Sequence, residues 1–155
     1  MTDILVAGIG NLFLGDDGFG VEVVRRFGKV PGGVRAVDFG VRGVHLAYEL
    51  LEPPDLLVLV DAARRGGAPG TIYVIDPSTD PSWTRAVTCD AHGMSIDGIF
   101  AMVRELGGAI PKTRIVACEP LAIEERIGLS PVVDRAVQAA IEILHRLIDK
   151  EGAPA

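Results

Sequence analysis

Clusters of basic residues are missing from this chain of 155 residues: 15 lysines and arginines face 21 acids, giving a formal net charge of −6. Phosphate backbones demand a basic face, so nucleic acid is excluded as a partner class. Long hydrophobic runs are missing as well. Mean hydropathy is positive at +0.34, yet the longest strongly apolar stretch, Leu56 to Val60, falls far short of the roughly 20 residues a spanning helix needs. No membrane association is expected. The N-terminus carries no basic region ahead of its first apolar run and reads straight into a strand, unlike a signal peptide. Cysteine is confined to Cys89 and Cys118, too far apart for a C-x-x-C motif, and free thiols of this kind fit a cytoplasmic protein. Aromatics are sparse at 5%.

The common hydrolytic signatures are absent too. The chain holds no H-E-x-x-H, no G-x-S-x-G around Ser95 and no Walker loop. Cys89 and His92 stand at i, i+3, but nothing marks a helix N-terminus at Cys89 that would lower its pKa and activate the thiol.

What remains is an alternation of strands and helices along one domain, expected over residues 1–150 with a short flexible tail at 151–155. Residues 4–7 read as a buried first strand, and residues 17–27 as a helix with Val21, Val24 and Phe27 along one stripe. A short strand over 34–38 and a helix over 44–51, stopped by Pro53 and Pro54, come next. The apolar run 56–60 marks a central strand covered on both faces. Only about nine residues separate it from a fourth strand at 71–75, too few for a helical crossover, so that strand is expected antiparallel near an edge. A helix over 95–106 closed by Gly107 and Gly108, a strand over 114–118 and a long last helix complete the pattern. Ser130 and Pro131 open that helix, which buries Val133, Val137, Ile141, Leu144 and Ile148.

The segment Gly8 to Gly20 is the richest in chemistry. It follows a strand and opens a helix, like a dinucleotide fingerprint, but the third glycine of G-x-G-x-x-G falls on Phe13. Asp16 and Asp17 also occupy the helix N-terminus where a pyrophosphate would sit, and two carboxylates repel an anion. Taken singly, each acid has an ordinary reading. Asp16 and Asp17 could be an N-cap and a first-turn acid. Asp61, directly after the central strand, could cap a turn or pair with Arg64 or Arg65. His92 could be a hydrogen-bonded loop residue, with His45 and His145 weaker candidates on helices. Together they suggest more, because the first strand, the third strand and the His92 loop can all converge on one sheet edge, where open α/β sheets bind ligands. Two carboxylates and one imidazole suit a borderline divalent ion such as nickel or zinc.

The run Ile4-Leu-Val-Ala-Gly-Ile-Gly-Asn-Leu-Phe-Leu-Gly-Asp-Asp-Gly-Phe-Gly-Val21 resembles the opening signature of the nickel–iron hydrogenase maturation endopeptidases. Further resemblances follow in order: Asp38-Phe-Gly-Val-Arg-Gly43, Leu59-Val-Asp-Ala62, Pro69-Gly-Thr71, Asp90-Ala-His-Gly-Met94, Cys118-Glu-Pro120 and Ile127-Gly-Leu-Ser-Pro131. The resemblance implies a three-layer α/β/α sandwich on a five-stranded, mostly parallel sheet with one antiparallel strand. It implies an endopeptidase that removes the C-terminal extension of a hydrogenase large-subunit precursor after nickel insertion, with nickel supplied by that precursor. The family's metal-contacting positions fall on Asp17, Asp61 and His92, and Asp38 matches a further acidic position tied to activity. The first of these is Glu in some relatives, so its reach here is one methylene shorter.

Two roles for the metal follow from that resemblance. It could polarise the scissile carbonyl and lower the pKa of an attacking water, or only dock the substrate while Asp38 or Asp16 acts as general base. Two rival functions are a nickel-binding accessory protein without proteolytic activity and a nucleotide-dependent enzyme on a doubly wound sheet.

Overall fold

The computed structural model describes residues 2–28, 30–80 and 95–152. Five strands form one sheet in the order β2-β1-β3-β5-β4, with β1 Ile4–Ile9, β2 Val34–Gly40, β3 Leu56–Ala62, β4 Ile72–Ile75 and β5 Thr113–Cys118. All neighbours run parallel except β4, which pairs antiparallel with β5 at the sheet edge. The short connection through residues 63–71 leaves no room for a crossover helix, as the spacing predicts.

Strand alternation divides the core in two. Ile4 and Val6 of β1, Val58 and Val60 of β3 and Val116 of β5 face a cluster completed by α1 (Phe19–Phe27) and α4 (Pro131–Gly152). Leu5, Leu57, Leu59 and Ile115 face the opposite cluster, completed by α2 (Gly43–Glu49) and α3 (Ile96–Glu105). The result is an α/β/α sandwich whose central strand β3 is buried at every position, which accounts for its uninterrupted apolar sequence. The α4 stripe of Val133, Val137, Ile141, Leu144 and Ile148 is buried as its periodicity requires.

Helix ends follow local chemistry. The Ser95 hydroxyl accepts from the Gly98 amide at 3.0 Å, capping α3. At the other end Gly107 takes φ +85°, and the amides of Gly107 and Gly108 return to the carbonyls of Arg104 and Val103. That is the paired closure of a Schellman motif. Among the described residues no helix is long and apolar enough to cross a membrane. Helix α4 runs to Gly152, and Glu151 near its end pairs with Lys112 and Arg114 at 2.5 and 3.2 Å.

One helix start differs from the sequence reading. A 3₁₀ turn over Gly15–Gly18 precedes α1, which begins only at Phe19. Neither element has a side-chain cap, so the expected capping role of Asp16 does not exist. Both acids of the turn are engaged elsewhere, and the tight turn lets their side chains diverge.

Candidate active site at the carboxyl edge of the sheet

Glycines bring the first elements into unusually close contact. A Cβ built on Gly20 of α1 lies 2.0 Å from the Val60 carbonyl oxygen and 2.5 Å from that of Ile9, and one on Gly8 lies 2.4 Å from the Gly20 oxygen. Only hydrogen fits at these positions, so the start of α1 rests directly on the ends of β1 and β3. The chain then folds over Gly10 at φ +135°, and Asp17 comes to lie against the end of β1.

Asp17 is fully buried, and its Oδ2 accepts from the Asn11 amide at 2.8 Å. Asn11 Oδ1 in turn accepts from the Phe13 amide at 2.9 Å, which fixes the turn. Asp61, 3% exposed at the carboxyl end of β3, accepts from the Ala62 amide at 2.8 Å through Oδ1. A Cβ on Gly10 would stand 2.0 Å from the Asp17 carbonyl oxygen and 3.7 Å from Asp61 Oδ1. Gly10 therefore packs on the Asp17 backbone with the Asp61 carboxylate beside it, which brings the turn that carries Asp17 to the end of β3. Carboxylates this buried require compensation by hydrogen bonds or a cation. Arg65, one of two suggested partners for Asp61, directs its guanidinium to Asp80 at 3.1 Å.

His92 lies outside the described residues, as do Cys89 and Asp90. Among the described residues no group of three or more metal-ligating side chains is assembled. The described part of the expected triad is thus the Asp17–Asp61 pair.

Asp38 stands apart from that pair. It sits opposite Gly8 in the β1–β2 register, shares the sheet face of Val34 and Ala36, and turns toward α1, where Arg25 Nε lies 3.8 Å from its Oδ2. Asp61, by strand alternation, belongs with Leu57 and Leu59 on the other face. Asp38 Oδ1 is shielded from solvent and has no hydrogen-bond partner among the described residues. Gly40, at φ +54°, links this carboxylate to the pair's surroundings: its Cβ would lie 3.6 Å from Asp38 Oδ1 and 3.9 Å from the Gly10 carbonyl oxygen. Arg42 closes the loop by donating to the Asp38 and Phe39 carbonyls at 2.6 and 3.1 Å.

Two further acids organise the site's walls, and single-sequence reasoning did not assign them this role. Asp16, 1% exposed, accepts from Leu121, Ala122 and Ser130. Both its oxygens are taken up in this way, which removes it as a general base. Glu119, directly after β5, accepts through Oε1 from the amides of Arg65 and Gly67 and from the Tyr73 hydroxyl at 2.8, 3.1 and 2.8 Å. Burial opposes its ionisation, but those amides and the hydroxyl outweigh burial and hold the carboxyl below its ordinary value. The available signal was positional: Glu119, like Asp61, is an acid at the end of a buried strand.

Cys118 is buried, and desolvation together with the charges of Asp16 and Glu119 pushes its thiol up to about 12. It is not a nucleophile at neutral pH. His45 and His145 are exposed on α2 and α4, with His145 stacked on Phe27 at 4.9 Å between ring centroids. A cavity of about 380 Å³ opens at the opposite end of β5, lined among others by Asp76, Arg104, Lys112 and Arg114. None of the candidate residues borders it.

Residues 21–147 match the sequence profile of the HycI hydrogenase maturation protease family. The chain is 31% identical over 153 residues to the hydrogenase expression/formation protein HupD of Rhizobium leguminosarum bv. viciae, covering 96% of this chain and 75% of that protein. It is 26% identical to the hydrogenase 2 maturation protease of Escherichia coli K12, with 98% and 94% covered. The solved structure of the hydrogenase maturating endopeptidase HybD from E. coli superposes with a TM-score of 0.83 at 27% identity, covering 97% of this chain and 94% of that one. The profile spans most of the sequence, and the chain belongs to the family of hydrogenase maturation proteases.

Proposed function

We propose that this protein is the processing endopeptidase for a nickel–iron hydrogenase large-subunit precursor, and that it removes the C-terminal extension once nickel is in place. Membership of the protease family supports a peptidase. The observation that carries the finer reading is that Gly10 packs on the backbone of Asp17 with the Asp61 carboxylate beside it, both acids being buried at one sheet edge. An oxygen pair on two separate elements, joined by the imidazole of His92, is a donor set for a borderline divalent ion. Nickel enters in this reading as cargo of the substrate, and Asp17, Asp61 and His92 complete its coordination.

That contact recognises a loaded precursor and polarises the scissile carbonyl. Asp17 is held by the Asn11 amide and Asp61 by the Ala62 amide, so their oxygens are positioned before substrate arrives. Asp38 lies beyond Gly40 and faces α1, which favours a role in ordering the residue 40–43 loop over direct general-base attack.

The test is to incubate the purified protein with nickel-loaded and nickel-free precursor and to weigh the products. Shortening of the loaded precursor alone is expected. A loaded precursor of unchanged mass would sink the protease reading. If nickel still bound to the protein in that case, the accessory-protein alternative would replace it.

A further inference from the structure

Asp16 and Asp17 are neighbours in one 3₁₀ turn, yet their side chains hold opposite walls. Asp17 reaches back to Asn11, in the loop that follows β1. Asp16 reaches across the sheet edge to the segment between β5 and α4. Its Oδ1 accepts from the Ser130 amide at 2.7 Å. Its Oδ2 accepts from the amides of Leu121 and Ala122 at 2.8 and 3.0 Å and from the Ser130 hydroxyl at 2.8 Å. Backbone contacts reinforce the same seam: the Asp16 amide donates to the Ala122 carbonyl, Gly15 donates to Arg126, and Arg126 donates to Phe13. Gly15 takes φ +62°, and its absent Cβ leaves the Ala122 oxygen 3.1 Å away.

A carboxylate used this way has few substitutes. Both oxygens serve as acceptors, and every donor comes from one segment of the chain. Asparagine at this position would present an amide N–H₂ to backbone N–H groups, donor against donor, in a place with no solvent to intervene. Ser130 is informative as well. It stands where a helix N-cap would accept from the first turn of α4, and its hydroxyl donates to Asp16.

We propose that Asp16 is a positioning residue: by strapping the segment over residues 121–130 to the turn, it fixes where Asp17 meets the substrate's metal. The inference rests on the precursor-processing reading for its kinetic consequence, though not for the strap itself. Asp16 makes no contact with the substrate and supplies no proton. It acts through Asp17 alone.

The experiment combines kinetics with amide exchange on the full-length protein and Asp16→Asn, at a temperature where circular dichroism shows the variant folded. The Leu121, Ala122 and Ser130 amides are expected to lose protection in the variant. KM for nickel-loaded precursor is expected to rise by roughly tenfold or more, with kcat within about threefold of wild type. A merely destabilised enzyme would lose kcat in proportion to its inactive fraction at unchanged KM, and that result overturns the proposal. Ser130→Ala, which removes one of the four bonds and no charge, covers the case in which Asp16→Asn does not fold. Its KM is expected to rise by about threefold, and a wild-type KM there also counts against the strap. Unchanged amide protection in a folded Asp16→Asn overturns it whether or not the precursor is cut. A wild-type protein that leaves the precursor intact sinks the functional reading instead.

Discussion

The backbone amide and the hydroxyl of Ser130 both end on the Asp16 carboxylate, at 2.7 and 2.8 Å, across 114 residues of sequence. The first turn of the protein and the start of its last helix are thereby one unit, and the candidate site is built on it. This relationship separates two kinds of acid in the same region. Asp16 ties two distant segments together, whereas Asp17 and Asp61 are each held by an amide close by in sequence.

Removing either member of that pair is expected to end processing. Asp17→Asn and Asp61→Asn keep the side-chain shape and lose the charge, so each should lower kcat/KM by at least about a hundredfold, or roughly 2.7 kcal/mol of transition-state stabilisation. His92→Ala should abolish cleavage while unfolding stays cooperative. His145→Ala is the contrasting control: it gives up stacking on Phe27, on the order of 0.5–1.5 kcal/mol, and leaves cleavage unchanged. Near-wild-type cleavage by the His92 variant would count against the triad.

Cys118 gives a sharp chemical test. With its thiol pushed up to about 12 by burial and by the charges of Asp16 and Glu119, it is expected to stay unmodified by iodoacetamide in the native protein at pH 7. It should alkylate fully in denaturant. Mass spectrometry of the Cys118 peptide reads both states, and Cys118→Ala should retain cleavage. Labelling of the native thiol would show that β5 opens at this end.

Stability against pH should carry the signature of Glu119. Its folded value lies below the ordinary 4.5, so its contribution is complete above that value and is lost as pH falls through the folded one. Tyr73 works in the opposite direction. Burial first, then the hydrogen bond to Glu119 and the charge of that carboxylate, raise its hydroxyl above the ordinary 10.0, so that contribution is present below 10.0 and fades as pH climbs past it. Urea midpoints for wild type and Glu119→Gln should separate near neutrality and converge as pH falls through the folded value. Parallel curves across that range would refute the assignment.

Glycine substitutions separate packing from backbone strain. Gly20→Ala places a methyl 2.0 Å from a backbone carbonyl and is expected to cost about 3 kcal/mol or more. Gly107→Ala meets nothing within 4 Å and suffers only from φ +85°, at about 1 kcal/mol. Equal losses in urea titrations of the two would contradict the close approach at Gly20.

Most of the architecture was legible because its signals are local. The β3 run, the stripe of α4, the Ser95 cap and the short link before β4 each follow from a few adjacent residues. Asp61 could be placed because it directly follows a buried apolar run, and Asp17 because it lies in the turn between the first strand and the first helix. What sequence did not disclose were relationships between distant acceptors and backbone amides. Asp16 looks like a helix cap because four residues of context suggest one, and its partners lie more than a hundred positions away. Glu119 gathers amides from a loop some fifty residues earlier, and no periodicity announces that. Asp38 had a motif position, but the face it occupies depends on β2 register and on Arg25 of α1.

The missing side chain of Gly20 has a mechanical consequence. With α1 seated on the carbonyls of Val60 and Ile9, no cushion of side chains lies between the turn that carries Asp17 and the strand that carries Asp61. A load applied to one carboxylate is passed by direct backbone contact to the other. The turn and the strand therefore shift together, and neither acid moves without carrying the other's element along.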